Sequence, residues 1–227
     1  MKVNSGLAAI QAVVIFTIFG LALFLPAGTL SWPAGWIFLS LFFAYFCGLN
    51  VWLIRHNPGL LQERLRLGRR DQKGWDKVLF PLLETLCIGW LVFMALDAER
   101  FHWSSLPAWL QIFGALLLLV SFYLFFLTFR ENTYLSTVVR IQSERGQIVI
   151  SSGPYRVVRH PMYSGMGIFF TATPLLLGSG YGVLFGLGLV AVLARRAVLE
   201  ERVLKKELAG YEEYTHQVKY RFVPHVW

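Results

Sequence analysis

Apolar residues in this chain come in long blocks, and polar residues are confined to the gaps between them. Ala8–Leu25 is broken only by Gln11, Thr17 and Gly20. Similar blocks run over Trp36–Ile54, Val78–Leu96 and Trp109–Phe129, and two shorter ones, Gly165–Leu177 and Tyr181–Ala194, flank Gly178-Ser179-Gly180. A helix rises about 1.5 Å per residue, so each of the first four blocks is long enough to cross a hydrocarbon core of about 30 Å. The Gly-Ser-Gly triplet predicts a tight turn. The last pair then forms two further crossings with its flanks, or a hairpin that enters the membrane and returns. The pattern predicts an all-α, polytopic helical bundle of about six spans.

Composition agrees. Of 227 residues, 56% are hydrophobic and 15% charged, against about 25% charged in soluble domains. A disordered tail, a secreted disulfide scaffold and an ordinary cytosolic enzyme are disfavoured. The net charge of +8 has a topological reading. With six spans, the N-terminus, the 55–77 loop, the 130–162 loop and the C-terminal tail share one side and hold 20 of the 21 Lys and Arg residues. Arg100 alone falls opposite. The positive-inside rule puts that side, with both termini, in the cytoplasm, and an inner or plasma membrane is expected. Residues 1–28 resemble a signal peptide poorly. They carry one positive charge, Lys2, and a long apolar run without a small-x-small cleavage site, so a retained first span is expected. The basic loops point to anionic lipid rather than nucleic acid. Cys47 and Cys87 lie inside apolar blocks, far from metal-ligand spacing, and read as packing residues. Glu84, about two turns into the third block, reads as a polar group facing the bundle interior.

Nucleotide, metalloprotease and hydrolase motifs are missing, and Gly186-Leu187-Gly188 reads as a helix-packing site inside a span. Two segments carry candidate chemistry. The first runs from Gln147 to Gly165. Gly153-Pro154 marks a turn, and Pro161 suits the first turn of a helix and biases His160 away from helix. The start of that helix, beside Arg159 and His160, offers free N–H groups and a positive dipole end suited to an anion. The same composition also suits an interface loop with snorkelling Arg and Tyr anchors. The second segment is Arg195–Arg202, where Arg196 and Glu200 share a helix face one turn apart. They form either a simple ion pair or two groups that hold different ligands. The tail, with Tyr211, Tyr214, Tyr220, Phe222 and Trp227 among charges, reads as an amphipathic lid or interfacial helix.

Together these segments resemble the isoprenylcysteine carboxyl methyltransferase family, relatives of the phospholipid N-methyltransferases. The pattern is Gly153-Pro154-Tyr155, then Arg159-His160-Pro161-x-Tyr163-x-Gly165, a Glu-Glu pair after the final span, Tyr214 and Pro224. The resemblance is dense from about Val139 to Trp227. The 55–77 loop, with Asn57-Pro58-Gly59-Leu60-Leu61, Arg64 and Trp75-Asp76-Lys77, is similar to bacterial members. It implies methyl transfer from S-adenosylmethionine, with S-adenosylhomocysteine as product and no metal. It also implies two regions: 1–130, four spans with the basic loop, and 131–227, a catalytic region with a cytoplasmic cofactor loop, the last two spans and the tail. For the cofactor it implies Gln142, Gln147, Ile148, Val149, Ile150, Tyr155, His160, Pro161, Met162, Tyr163 and Glu200, and for the substrate carboxylate Arg196. Arg196, Glu200 and His160 would act by positioning, with no residue assigned a direct catalytic role. A carboxylate acceptor is ionised at pH 7 and needs no general base, whereas an amine does. The implied acceptor is a lipophilic small molecule, a lipid or a prenylated cysteine, and the carboxylate is preferred. Phosphatidylethanolamine-type N-methylation and a non-catalytic protein of the same fold are the alternatives.

Overall fold

The computed structural model describes residues 5–65 and 71–227. Lys2 and three arginines of the basic loop, Arg66, Arg69 and Arg70, lie outside them. Among the described residues, eight α-helices follow in order: α1 Ser5–Ala27, α2 Pro33–His56, α3 Pro58–Leu65, α4 Asp76–Ala95, α5 Ala108–Glu131, α6 Pro161–Leu177, α7 Gly180–Glu207 and α8 Tyr211–Gln217. A π-helical turn, Leu96–Arg100, extends α4. No strand occurs among the described residues.

Five helices, α1, α2, α4 with its π turn, α5 and α7, are long and apolar enough to cross a membrane. Helix α6 has 17 residues and falls short of that length. It is nevertheless a full member of the bundle, packed most closely on α5 and α7. Apolar side chains cover the outside as well as the inside. Ile10, Val13, Leu25, Ile112, Leu116 and Leu184 are all exposed, as expected where the surrounding solvent is lipid. Glu84 lies on this outer surface rather than facing the bundle interior as the sequence suggested.

The turns follow local chemistry. Gly28 (φ 73°) ends α1 and Gly178 (φ 84°) ends α6 in the left-handed region, where a side chain would be strained. The Ser179 hydroxyl caps α7 by accepting from Gly182 N at 2.9 Å and donates to Asp97 at 2.5 Å. Asp97 also accepts from the Ser104 amide and hydroxyl, which ties the α6–α7 turn to the π turn at one end of the bundle. Pro33 and Pro161 start α2 and α6, where their missing N–H costs nothing.

An aromatic interior holds the helices together. Tyr45 stacks on Phe122 at 4.6 Å, and Trp90 meets Phe170 edge-on while donating to Gly182 O at 2.9 Å. Small residues set the closest approaches. A Cβ at Gly114 would lie 2.5 Å from Leu176 N, and one at Gly186 would overlap the Phe170 carbonyl, whereas Gly188 faces open space. The Gly186→Val substitution should therefore force α6 and α7 apart, at a cost of at least about 1–3 kcal/mol. Gly188→Ala should leave the melting temperature in detergent unchanged. Equal melting of the two variants would refute the close packing of this hairpin.

Candidate active site

The described parts of the 55–77 and 130–162 connections and the C-terminal tail gather at the end of the bundle opposite Asp97. Here the last turns of α7 carry two acids with different tasks. Glu201 is buried and binds the C-terminal segment. Its Oε1 accepts from Arg159 Nε at 2.5 Å, its Oε2 accepts from Arg221 Nε at 2.8 Å, and His160 Nε2 lies 3.2 Å from Oε1. Arg159 also donates to the Val218 and Lys219 carbonyls, at 2.7 and 2.8 Å. The backbone N–H groups of Arg159 and His160 donate to Tyr220 O and Arg221 O, both at 2.9 Å, and Ser164 Oγ donates to Phe222 O at 2.6 Å. Residues 218–222 thus form a strap across the start of α6. This corrects the expectation of an anion cradle beside Arg159: the N–H groups of Arg159 and His160 and the guanidinium are already engaged by the strap and Glu201.

Glu200 belongs to a second network. Arg196 and Glu200 share a face of α7 but are not a direct ion pair. Tyr163 stands between them, accepting from Arg196 Nη1 at 2.7 Å and donating to Glu200 Oε2 at 2.6 Å. Arg196 Nε donates to Asp76 Oδ1 at 2.9 Å, and Nη2 donates to Thr137 O at 2.9 Å. Asp76, fully buried at the start of α4, also accepts from Gln72 Nε2 and Val139 N, each at 2.9 Å. Asp76 and Glu201 are the site residues that sequence reasoning missed. Asp76 lay in the loop motif, and Glu201 in the Glu-Glu pair, but neither motif reveals a partner far away in the chain.

The 132–160 loop is shaped by side chains rather than by a sheet. Asn132 Nδ2 donates to Tyr155 Oη at 2.7 Å, and Tyr214 Oη of α8 donates to Tyr155 O at 2.7 Å. Burial raises the phenol pKa of Tyr155, Tyr211 and Tyr214, so all three remain neutral. Tyr211 and Tyr214 turn the short α8 inward, so it packs on Leu204, Leu208 and Val149.

These elements enclose a cavity of about 520 Å³. Its polar end is lined by Gln147, Ile148, Val149, Ile150, Tyr155, His160, Pro161, Met162, Tyr163, Arg196 and Glu200, the residues the resemblance singled out. Its other end lies among the rings of Phe42, Phe46, Phe125, Trp90, Phe169 and Phe170 inside the bundle. Gln142 is the exception. It does not line the cavity. It is buried in the loop, donating through Nε2 to Tyr134 O at 2.6 Å and accepting from Arg145 at 2.6 Å.

Residues 109–209 match the family model described as phospholipid methyltransferase. This part of the chain is a phospholipid methyltransferase-family domain. The family is related to the isoprenylcysteine carboxyl methyltransferases. The matched segment runs from α5 to just beyond α7 and brings with it Tyr155, His160–Tyr163, Arg196 and both glutamates. It excludes Asp76 on α4 and the strap. No curated protein matches the chain. The protein is a multi-helix membrane protein with one segment that matches a methyltransferase family, and that segment supplies most of the polar end of its cavity.

Removing one partner of a buried ionic cluster leaves the others uncompensated, at about 3–5 kcal/mol. Glu201→Ala should release the strap and expose Lys219 and Arg221 to trypsin, while the transmembrane helices stay resistant. Unchanged cleavage kinetics would show that Glu201 does not hold the strap.

Proposed function

We propose that this protein transfers a methyl group from S-adenosylmethionine to a lipophilic acceptor, with a carboxylate as the attacking group. The observation that carries this reading is the hydrogen-bonded line Arg196–Tyr163–Glu200, set where a polar cavity mouth meets an aromatic interior. The polar end suits such a cofactor. Glu200 Oε1 has no hydrogen-bond partner among the described residues and can face a cation or a ribose hydroxyl. The backbone groups of Ile148–Ile150 make no backbone hydrogen bonds among the described residues, and so present an open edge to a heterocycle. The volume lies within the usual range for cofactor pockets.

The bound sulfonium would supply an electrophilic methyl group, which leaves the protein the task of alignment. Tyr163 fixes Glu200 on one side and Arg196 on the other. Arg196 uses three of a guanidinium's five N–H groups on Asp76, Tyr163 and Thr137, and keeps two for the acceptor. Its charge is matched by Asp76, so it orients an acceptor oxygen without drawing a counter-ion deep into the site. An ionised carboxylate would react without proton removal. Gln142 keeps the loop in shape and supports Gln147, whose Oε1 accepts from Gln142 N at 2.7 Å. We place both termini and this end of the bundle in the cytoplasm, where the cofactor would enter, while the acceptor would enter laterally from the bilayer.

The family description favours a second reading, methylation of a phospholipid amine. That reaction would need a proton acceptor at the cavity. Incubation with labelled S-adenosylmethionine and a total lipid extract separates the two readings: a base-labile methyl ester supports the first, a stable N-methyl lipid the second. Glu200→Gln should weaken S-adenosylhomocysteine binding by about tenfold or more. Arg196→Lys, which keeps the charge for Asp76 but loses the planar fork, should leave that binding within about threefold and lower turnover about 100-fold. Calorimetry showing that the unmodified protein does not bind S-adenosylhomocysteine would overturn the proposal.

A further inference from the structure

Four guanidinium groups line the cavity among the described residues: Arg64, Arg140, Arg159 and Arg196. Three are matched by carboxylates. Arg140 pairs with Glu63 and Glu144 at 2.7 and 2.8 Å, Arg159 with Glu201 at 2.5 Å, and Arg196 with Asp76 at 2.9 Å. Arg64 has no such partner among the described residues. Its hydrogen bond is from Nη1 to Leu135 O, long at 3.3 Å, and its guanidinium lies 4.8 Å above the Phe129 ring. Burial pushes its pKa down to about 10, which still leaves it charged at neutral pH. The ionisable group it senses is the Tyr45 phenol.

Tyr45 is the second unmatched group. It lines the same cavity, and its hydroxyl is buried with no hydrogen-bond partner. Stacking on Phe122 with the rings 3° from parallel leaves the ring little freedom to turn the hydroxyl away. Arg64 reaches the cavity because α3 lies across the ends of α2 and α5, with Leu60 and Leu61 packed on Leu49, Leu53 and Phe129. A half-buried cation without a carboxylate partner among the described residues and a buried hydroxyl without a hydrogen bond each carry a desolvation cost, and an anion between them would relieve both. Four of the five N–H groups of Arg64 have no hydrogen-bond partner among the described residues, enough for a two-point contact with a carboxylate or a phosphate. Phe46, Phe125 and Phe169, lining the same cavity, leave an apolar path for a chain attached to that anion.

We propose that Arg64 and the Tyr45 hydroxyl form an anion subsite that takes the acidic head group, carboxylate or phosphodiester, of a lipophilic molecule whose chain lies among the aromatic rings of the cavity. The subsite rests on the methyltransferase reading only in calling that molecule the acceptor. Arg196 would then align the reacting oxygen, and Arg64 would carry the charge.

The test titrates the full-length protein in a neutral maltoside detergent with dodecyl phosphate, laurate and dodecanol, and counts bound ligand by native mass spectrometry. The unmodified protein should bind at least one of the two anions about tenfold more tightly than the alcohol, and the preferred anion identifies the head group. Arg64→Gln should erase that preference while S-adenosylhomocysteine binding stays within about threefold. Tyr45→Phe should weaken the preferred anion about three- to fivefold. Should Arg64→Gln fail to fold, Arg64→Lys and Tyr45→Phe carry the test. Retained anion preference in the first with three- to fivefold weaker anion binding in the second supports the subsite, and a preference lost in the first or a Tyr45→Phe protein equal to the unmodified one overturns it. No preference for either anion in the unmodified protein, or an Arg64→Gln protein that retains it, also overturns the subsite. Absence of S-adenosylhomocysteine binding with an Arg64-dependent anion preference would remove the methyltransferase reading and leave the subsite standing.

Discussion

The ion pair between Asp76 and Arg196 is the contact on which the polar end of this protein depends. It joins the first residue of α4 to the middle third of α7, 120 positions apart. Asp76 also fixes the Gln72 and Val139 segments, so one carboxylate gathers the 55–77 loop, the 132–160 loop and the final transmembrane helix. Burying two charges costs several kcal/mol per ion before the attraction offsets it. A hydrophobic pair would hold the helices as well. Only an ionic one also orients the Arg196 fork, and that fork aims Tyr163 at Glu200.

Glu201 does for the strap what Asp76 does for the loops. Adjacent residues on α7 point into different networks, because consecutive helical positions lie about 100° apart. One glutamate serves the architecture, and its neighbour, which lines the cavity, keeps an oxygen without a hydrogen-bond partner among the described residues. The Glu-Glu dipeptide is thus two devices placed side by side by helical geometry.

The bundle was legible in the sequence because a lipid-exposed helix must be apolar all round. Blocks such as Trp109–Phe129 therefore mark themselves without any periodicity. The tight turn at Gly178–Gly180 was legible for the same local reasons, a left-handed glycine and a capping serine. Helix α3 was not: eight residues with mixed polarity look like a loop, and only packing of Leu60 and Leu61 makes them helical. In the site, the shared face of Arg196 and Glu200 followed from spacing, but the tyrosine between them comes from another helix. Asp76 with Arg196 and Glu201 with Arg221 are both pairings across the fold, which spacing along one helix cannot show. Gln142 is the converse case, a polar residue whose type suited a ligand but whose groups are taken up by its own loop.

Helix α6 has one further consequence. Its 17 residues span about 25 Å, less than a hydrocarbon core of about 30 Å. The bilayer must thin locally around it or draw its polar surface inward. His160 and Tyr163, at the start of α6, then sit at or below the level of the surrounding head groups. A lipid reacting there would keep its tail in the hydrophobic phase throughout and avoid the cost of about 0.8 kcal/mol for every CH₂ group brought into water. Under the proposed methyl transfer, the shortness of one helix would let the chemistry come down to the lipid.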